Sequence, residues 1–152
     1  MPVTILSKTL PAESATQRLA AAIAARVGAG DTLLLEGEIG AGKTAFARAL
    51  IRAKLDRQED VPSPTFTLVQ TYDAPDCEIW HCDLYRLGHP DDALELGLDE
   101  AFETALCLIE WPDRLGDAVP SGALRLSFAA GHEVHEVKIT GDVRWAARLA
   151  DL

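Results

Sequence analysis

The run Thr32-Leu33-Leu34-Leu35-Glu36 passes directly into Gly37-Glu38-Ile39-Gly40-Ala41-Gly42-Lys43-Thr44, and this junction constrains the fold more than any other feature of the chain. A short continuous apolar run reads as a strand buried on both faces, as in a parallel sheet. The segment after it matches G-x-x-x-x-G-K-[ST] in full, with a further glycine at its fourth position. Thr44 to Leu55 then carries good helix formers throughout, with Phe46, Leu50 and Ile51 on one side. In that context the loop is a phosphate cradle. Its glycines let several backbone N–H groups turn inward, and the N-terminus of the following helix strengthens their field. Lys43 adds a compact positive charge near β- and γ-phosphates, and the Thr44 hydroxyl is a ligand for magnesium.

The remaining segments fit an α/β chain. Val3–Leu6 reads as a short strand, followed by Pro11 in the first turn of a helix over Ser14–Val27, whose buried face is Leu19, Ile23 and Val27. Gly28 and Gly30 stop it. Thr65–Tyr72 and Glu78–Asp83 read as an antiparallel hairpin around Ala74-Pro75-Asp76. Asp91–Gly97 and Asp99–Thr104 are short helices with acidic first turns, expected to cover a sheet edge. Ala105–Ile109 is a buried strand, Ala123–Phe128 and Val134–Thr140 form a second hairpin around Gly131, and Val143–Leu152 is an amphipathic helix. The expected fold is a three-layer P-loop NTPase-like domain. Its mixed, mostly parallel sheet has antiparallel hairpins and flanking helices, and residues 1–152 make one domain.

Charge limits the partners. Lys and Arg total 14 against 24 Asp and Glu, a formal net charge of −10, which repels phosphodiester backbones. DNA is not an expected partner, and any role in nucleic-acid metabolism is expected to run through a partner protein or a small nucleotide. The longest apolar stretch, Leu19–Val27, is far shorter than the roughly 20 residues of a membrane helix. The start Met1-Pro2-Val3-Thr4 has neither a basic nor an apolar signal pattern. No membrane association is expected, and the location implied is the cytoplasm. Cys77, Cys82 and Cys107 lie in apolar runs and read as reduced, packed thiols. A zinc site from Cys77, His81, Cys82 and His89 would lack the paired C-x-x-C such sites favour.

Two acids follow buried strands, where ligands of open α/β sheets collect. Asp83 closes Ile79-Trp80-His81-Cys82, and Glu110 closes Leu106-Cys107-Leu108-Ile109. Either suits the acid that holds magnesium beside a phosphate loop. Glu110 ranks first for the metal, with Thr44, and Asp83 for ordering the attacking water or an outer contact with the metal; on sequence alone the two roles are exchangeable. The catalytic set is thus Asp83, Glu110 and Lys43. The cofactor-binding residues of the loop are Glu38, Ile39, Gly40, Ala41, Gly42, Lys43, Thr44 and Ala45. Pro62-Ser63-Pro64-Thr65-Phe66-Thr67 stands where such proteins place a segment that senses the γ-phosphate; the same segment also reads as an ordinary proline-stiffened loop.

Absent residues narrow the ligand. The chain contains no asparagine, so the N-K-x-D guanine-recognition pattern cannot occur and adenine is the expected base. His132-Glu133-Val134-His135 has three-residue rather than four-residue spacing and lies on a strand, where its histidines face opposite ways; they read as solvated hairpin residues. Trp111 reads as packing. A stand-alone kinase of the same class, acting on a metabolite or protein, is the competing function. It would need a lid and an acceptor pocket that 152 residues hardly accommodate. A direct nucleic-acid binder would retain its ligand in a salt-sensitive way.

Several motifs in series carry a resemblance. Leu10-Pro11-Ala12-Glu13, Gly37–Thr44, Ser63-Pro64-Thr65-Phe66-Thr67-Leu68-Val69, His81-Cys82-Asp83-Leu84-Tyr85-Arg86-Leu87, Glu95-Leu96-Gly97 and Ile109-Glu110-Trp111-Pro112 occur in order. Together they resemble the TsaE family, small P-loop ATPases of bacterial threonylcarbamoyladenosine tRNA modification. Cys82 departs from the phenylalanine frequent in that family. The resemblance implies ATP and magnesium as cofactors, slow hydrolysis that depends on partners, Thr44 and Glu110 around the metal, and Asp83 needed for activity. It also implies that Ser63–Thr67 senses the nucleotide, with Thr65 binding it, and that Glu13 lies near it. The implied partner is a complex of TsaB and TsaD, through which the chain would reach tRNA.

Overall fold

Alternation within the apolar strands decides the layering. The computed structural model describes residues 2–56, 60–64, 67–131 and 134–152. In β2 (Thr32–Glu36), Leu33 and Leu35 point to one side of the sheet and Leu34 to the other; in β5 (Leu106–Glu110), Leu106 and Leu108 oppose Cys107 and Ile109 in the same way. A strand that is apolar on both faces must be covered on both.

On the first face, α1 (Glu13–Ala24) and α2 (Lys43–Leu55) bring Leu19, Ala20 and Ile23 together with Phe46, Leu50 and Ile51. On the second, α3 (Asp91–Glu95) and α4 (Leu98–Thr104) set Ala93, Leu98 and Ala101 against Leu34, Cys82, Cys107 and Ile109. Read from sequence as covering a sheet edge, these two helices instead cover a face. Their apolar residues complement Leu34, Cys107 and Ile109 of the central strands. Burial pushes the Cys107 thiol up to about 12 and Cys82 well above its ordinary range, so both are packed and unreactive.

The sheet has seven strands in the order β1-β7-β6-β2-β5-β4-β3. Here β1 is Val3–Leu10, β3 Val69–Asp73, β4 Glu78–Asp83, β6 Leu124–Ala130 and β7 His135–Gly141. The central strands β6, β2, β5 and β4 run parallel, and β1, β7 and β3 add antiparallel pairings at the two edges. The architecture is the expected P-loop NTPase-like one, with helices flanking a mixed sheet.

Some boundaries differ from those read in the sequence. β1 runs on to Leu10 because its backbone pairs with β7 from Val3 opposite Gly141 to Leu10 opposite His135, with one register shift between Thr4 and Leu6; a ladder of main-chain bonds leaves no side-chain periodicity to read. Pro11 precedes α1 rather than lying in its first turn, and α1 stops at Ala24. The terminal helix α5 is confined to Val143–Arg148, with Asp142 capping it by accepting from the backbone N–H groups of Arg144 and Trp145. Those bonds hold the Asp142 carboxyl below its usual range. Thr65 and Phe66, placed by sequence at the start of a strand, lie outside the described residues; β3 begins at Val69, after a turn with Leu68 at φ +67°. A 3₁₀ segment, Pro112–Ala118, follows β5.

Candidate functional site

The loop leaving β2 is shaped by positions that exclude side chains. Gly37 has φ +136°, and a Cβ there would stand 2.4 Å from the carbonyl oxygen of Phe128. Gly42 caps α2 at φ +112°. Gly37→Ala therefore combines a backbone collision with a disfavoured dihedral and should cost at least about 2 kcal/mol, lowering the melting temperature by roughly 4–8 °C in circular dichroism. An unchanged melting curve would contradict this packing.

Lys43 opens α2 and is only 5% exposed. Its ammonium donates to the carbonyls of Gly37 and Glu38, and lies 3.9 Å from the centre of the Trp111 ring. Burial pulls its pKa below the ordinary lysine value, against the opposing pull of Glu110, Asp83 and Asp113. Trp111 thus does more than pack. It adopts φ +59° immediately after β5, which turns its ring toward the loop, and its ring centre is 5.0 Å from that of Tyr85.

Parallel pairing brings the acids to the same end of the sheet. Asp83 is the register partner of Glu110, and Glu110 in turn pairs with Leu35, close before the glycine loop. Glu110, 2% exposed, accepts from the Thr44 hydroxyl through Oε1 at 2.8 Å and from His81 Nε2 through Oε2 at 2.7 Å. Asp83 is buried as well, and its Oδ1 accepts the backbone N–H of Tyr85 at 3.1 Å. All oxygen donors here are hard, the type magnesium prefers.

These groups surround one cavity of about 540 Å³. Of the residues singled out in the sequence, Ile39, Gly40, Gly42, Lys43, Thr44, Ala45, Asp83 and Glu110 line it, joined by Tyr85, Arg86, Trp111 and His135. Glu38 and Ala41 belong to the loop but not to this wall: Glu38 contributes its carbonyl to Lys43, and the Ala41 side chain is packed into the core. Glu13 stands apart, at an adjoining cavity of about 380 Å³ that shares Gly42, Ala45 and His135 with the first. Thr65 lies outside the described residues.

Two histidines named in the sequence were given no role at this site. His135, read as solvated, is half-buried and borders both cavities, and its Nδ1 would stand 3.3 Å from a Cβ at Gly42. Only the return of β7 beside the loop puts it there. For His81 a signal was present: two residues before Asp83 on a strand, it had to share that acid's face.

The family profile described as "Threonylcarbamoyl adenosine biosynthesis protein TsaE" matches residues 10–138. The chain belongs to the TsaE family. The TsaE protein of Rickettsia bellii (strain RML369-C), a tRNA threonylcarbamoyladenosine biosynthesis protein, is 40% identical over 118 residues, covering 78% of this chain and 82% of that one. TsaE of Bacillus subtilis (strain 168) is 35% identical over 127 residues, covering 82% and 78%. A crystal structure of YdiB from the same species superposes with a TM-score of 0.81 at 29% identity, covering 99% of this chain and 94% of that one. TsaE membership gives the chain a role in the machinery of threonylcarbamoyladenosine modification of tRNA. Among the described residues, no helix of this TsaE chain is long and apolar enough to cross a membrane.

Proposed function

We propose that this chain is a magnesium-dependent ATPase, weak by itself, that serves threonylcarbamoyladenosine modification of tRNA by acting on a TsaB–TsaD complex in the cytoplasm. The observation that carries the reading is the convergence of Lys43, Thr44, Asp83 and Glu110 on one cavity at the carboxyl ends of parallel strands. Residues 1–152 work in it as one domain.

Each group has a task set by its chemistry. The backbone N–H groups of Gly40–Thr44, at the positive end of α2, hold the phosphates, and Lys43 turns its ammonium from the loop carbonyls toward them. Thr44 and Glu110 would hold magnesium, which when bound neutralises charge on the β- and γ-phosphates. Asp83, fixed by the Tyr85 amide, orders the attacking water. The adjoining cavity, bounded by Leu10, Glu13 and His135, takes the adenine end. The net charge of −10 keeps tRNA contact indirect.

Calorimetry with ATP and magnesium tests the reading: one binding site per chain is expected, with slow phosphate release that rises when TsaB–TsaD is added and with ATP-dependent capture of that complex. Absence of binding heat, alone and beside TsaB–TsaD, would refute it. Transfer of phosphate to a metabolite far above hydrolysis would point to the kinase instead.

A further inference from the structure

His81 is the one fully buried histidine among the described residues, 0% exposed in the middle of β4. Among the described residues its Nδ1 has no hydrogen-bond partner, while its Nε2 stands 2.7 Å from Glu110 Oε2. A leucine would fill this position without leaving a buried polar atom unpaired. The ring must therefore return something through its single bond. An ionised carboxylate can only accept, so Nε2 carries the hydrogen and donates it to Glu110.

The effect on Glu110 follows from geometry. The terminal torsion of a glutamate is soft and nearly two-fold, so a carboxylate held at one oxygen can turn. Glu110 is held at both, by His81 on Oε2 and by the Thr44 hydroxyl on Oε1. The register explains how: His81 lies opposite Leu108 on the neighbouring strand, two residues short of Glu110 and on the same face.

We infer that His81 is a positioning residue for the magnesium end of the site, clamping Glu110 Oε2 so that Oε1 stays directed at Thr44. The inference rests on the nucleotide and magnesium reading above. His81 itself touches neither substrate nor metal; it acts through Glu110, as partners behind metal ligands commonly do.

The test compares ADP affinity by calorimetry in magnesium and in EDTA, for wild type, His81→Leu, His81→Asn and His81→Gln, with thermal unfolding of each. The Gln amide reaches the place of Nε2, whereas the Asn amide falls short. Expected is a roughly 10- to 100-fold loss of the magnesium-dependent gain in affinity for Leu and Asn, little change in EDTA, and recovery in Gln. If Leu fails to fold, the Asn and Gln pair decides. Parallel losses in magnesium and EDTA, or equal behaviour of Asn and Gln, would mean that His81 only fills the core, and would overturn the inference while leaving the ATPase reading standing. A wild type whose ADP affinity ignores magnesium would overturn both.

Discussion

Lys43→Ala is expected to weaken ATP binding by roughly 100- to 1000-fold while the fold stays intact. Lys43 is 5% exposed, its ammonium beside two loop carbonyls and the Trp111 ring, so toward a bound triphosphate its charge would be less screened than that of a surface lysine. Loss of one such preorganised electrostatic contact at a desolvated site typically costs about 3–4 kcal/mol. Alanine opens α2 as well as lysine does, and burial already disfavours the charged lysine in the free protein, so the melting temperature should move little. Calorimetric titration and circular dichroism on the same sample separate the two effects. Affinity within a few-fold of wild type would remove Lys43 from the phosphate site.

Asp83→Asn is expected to bind ATP nearly as well as wild type and to hydrolyse it roughly 100- to 10,000-fold more slowly, the range for loss of a positioned proton acceptor. Asparagine keeps an oxygen for the Tyr85 amide, so the turn after β4 survives. What it loses is the negative charge and the ability to take a proton from water. Single-turnover phosphate release with prebound nucleotide reads the chemical step apart from binding. Hydrolysis at the wild-type rate would move the water-ordering role, and Glu110, on the adjoining strand end, would be the next residue to test.

Much of this site was legible because its parts are local. A glycine loop between an apolar strand and a helix is written in consecutive residues, and an acid directly after a buried run marks a strand end. Thr44 and Glu110 stood together on the chemistry of magnesium, but Asp83 was exchangeable with Glu110 until the fold set the Thr44 hydroxyl on Glu110. Where a residue's role depends on a distant strand, reading failed. His135 is an ordinary hairpin residue until β7 lies beside the loop, and Trp111 is a packing residue until its left-handed backbone turns the ring over Lys43. Helices α3 and α4 were recognised as helices, yet their placement on a face depended on Leu34, Cys107 and Ile109, which come from two other strands.

The linear order of residues settled the place of the glycine loop and its lysine, the strands that are buried on both sides, and the acids available to them. Those properties follow from side-chain period, glycine's conformational freedom and charge, all of which act over a few residues. Tertiary structure alone decided which acid meets Thr44, that a buried histidine stands behind that acid, and which aromatic ring covers the lysine. Such contacts join residues up to 68 positions apart, as between Lys43 and Trp111, and their geometry is fixed by strand order and register, which no local pattern records.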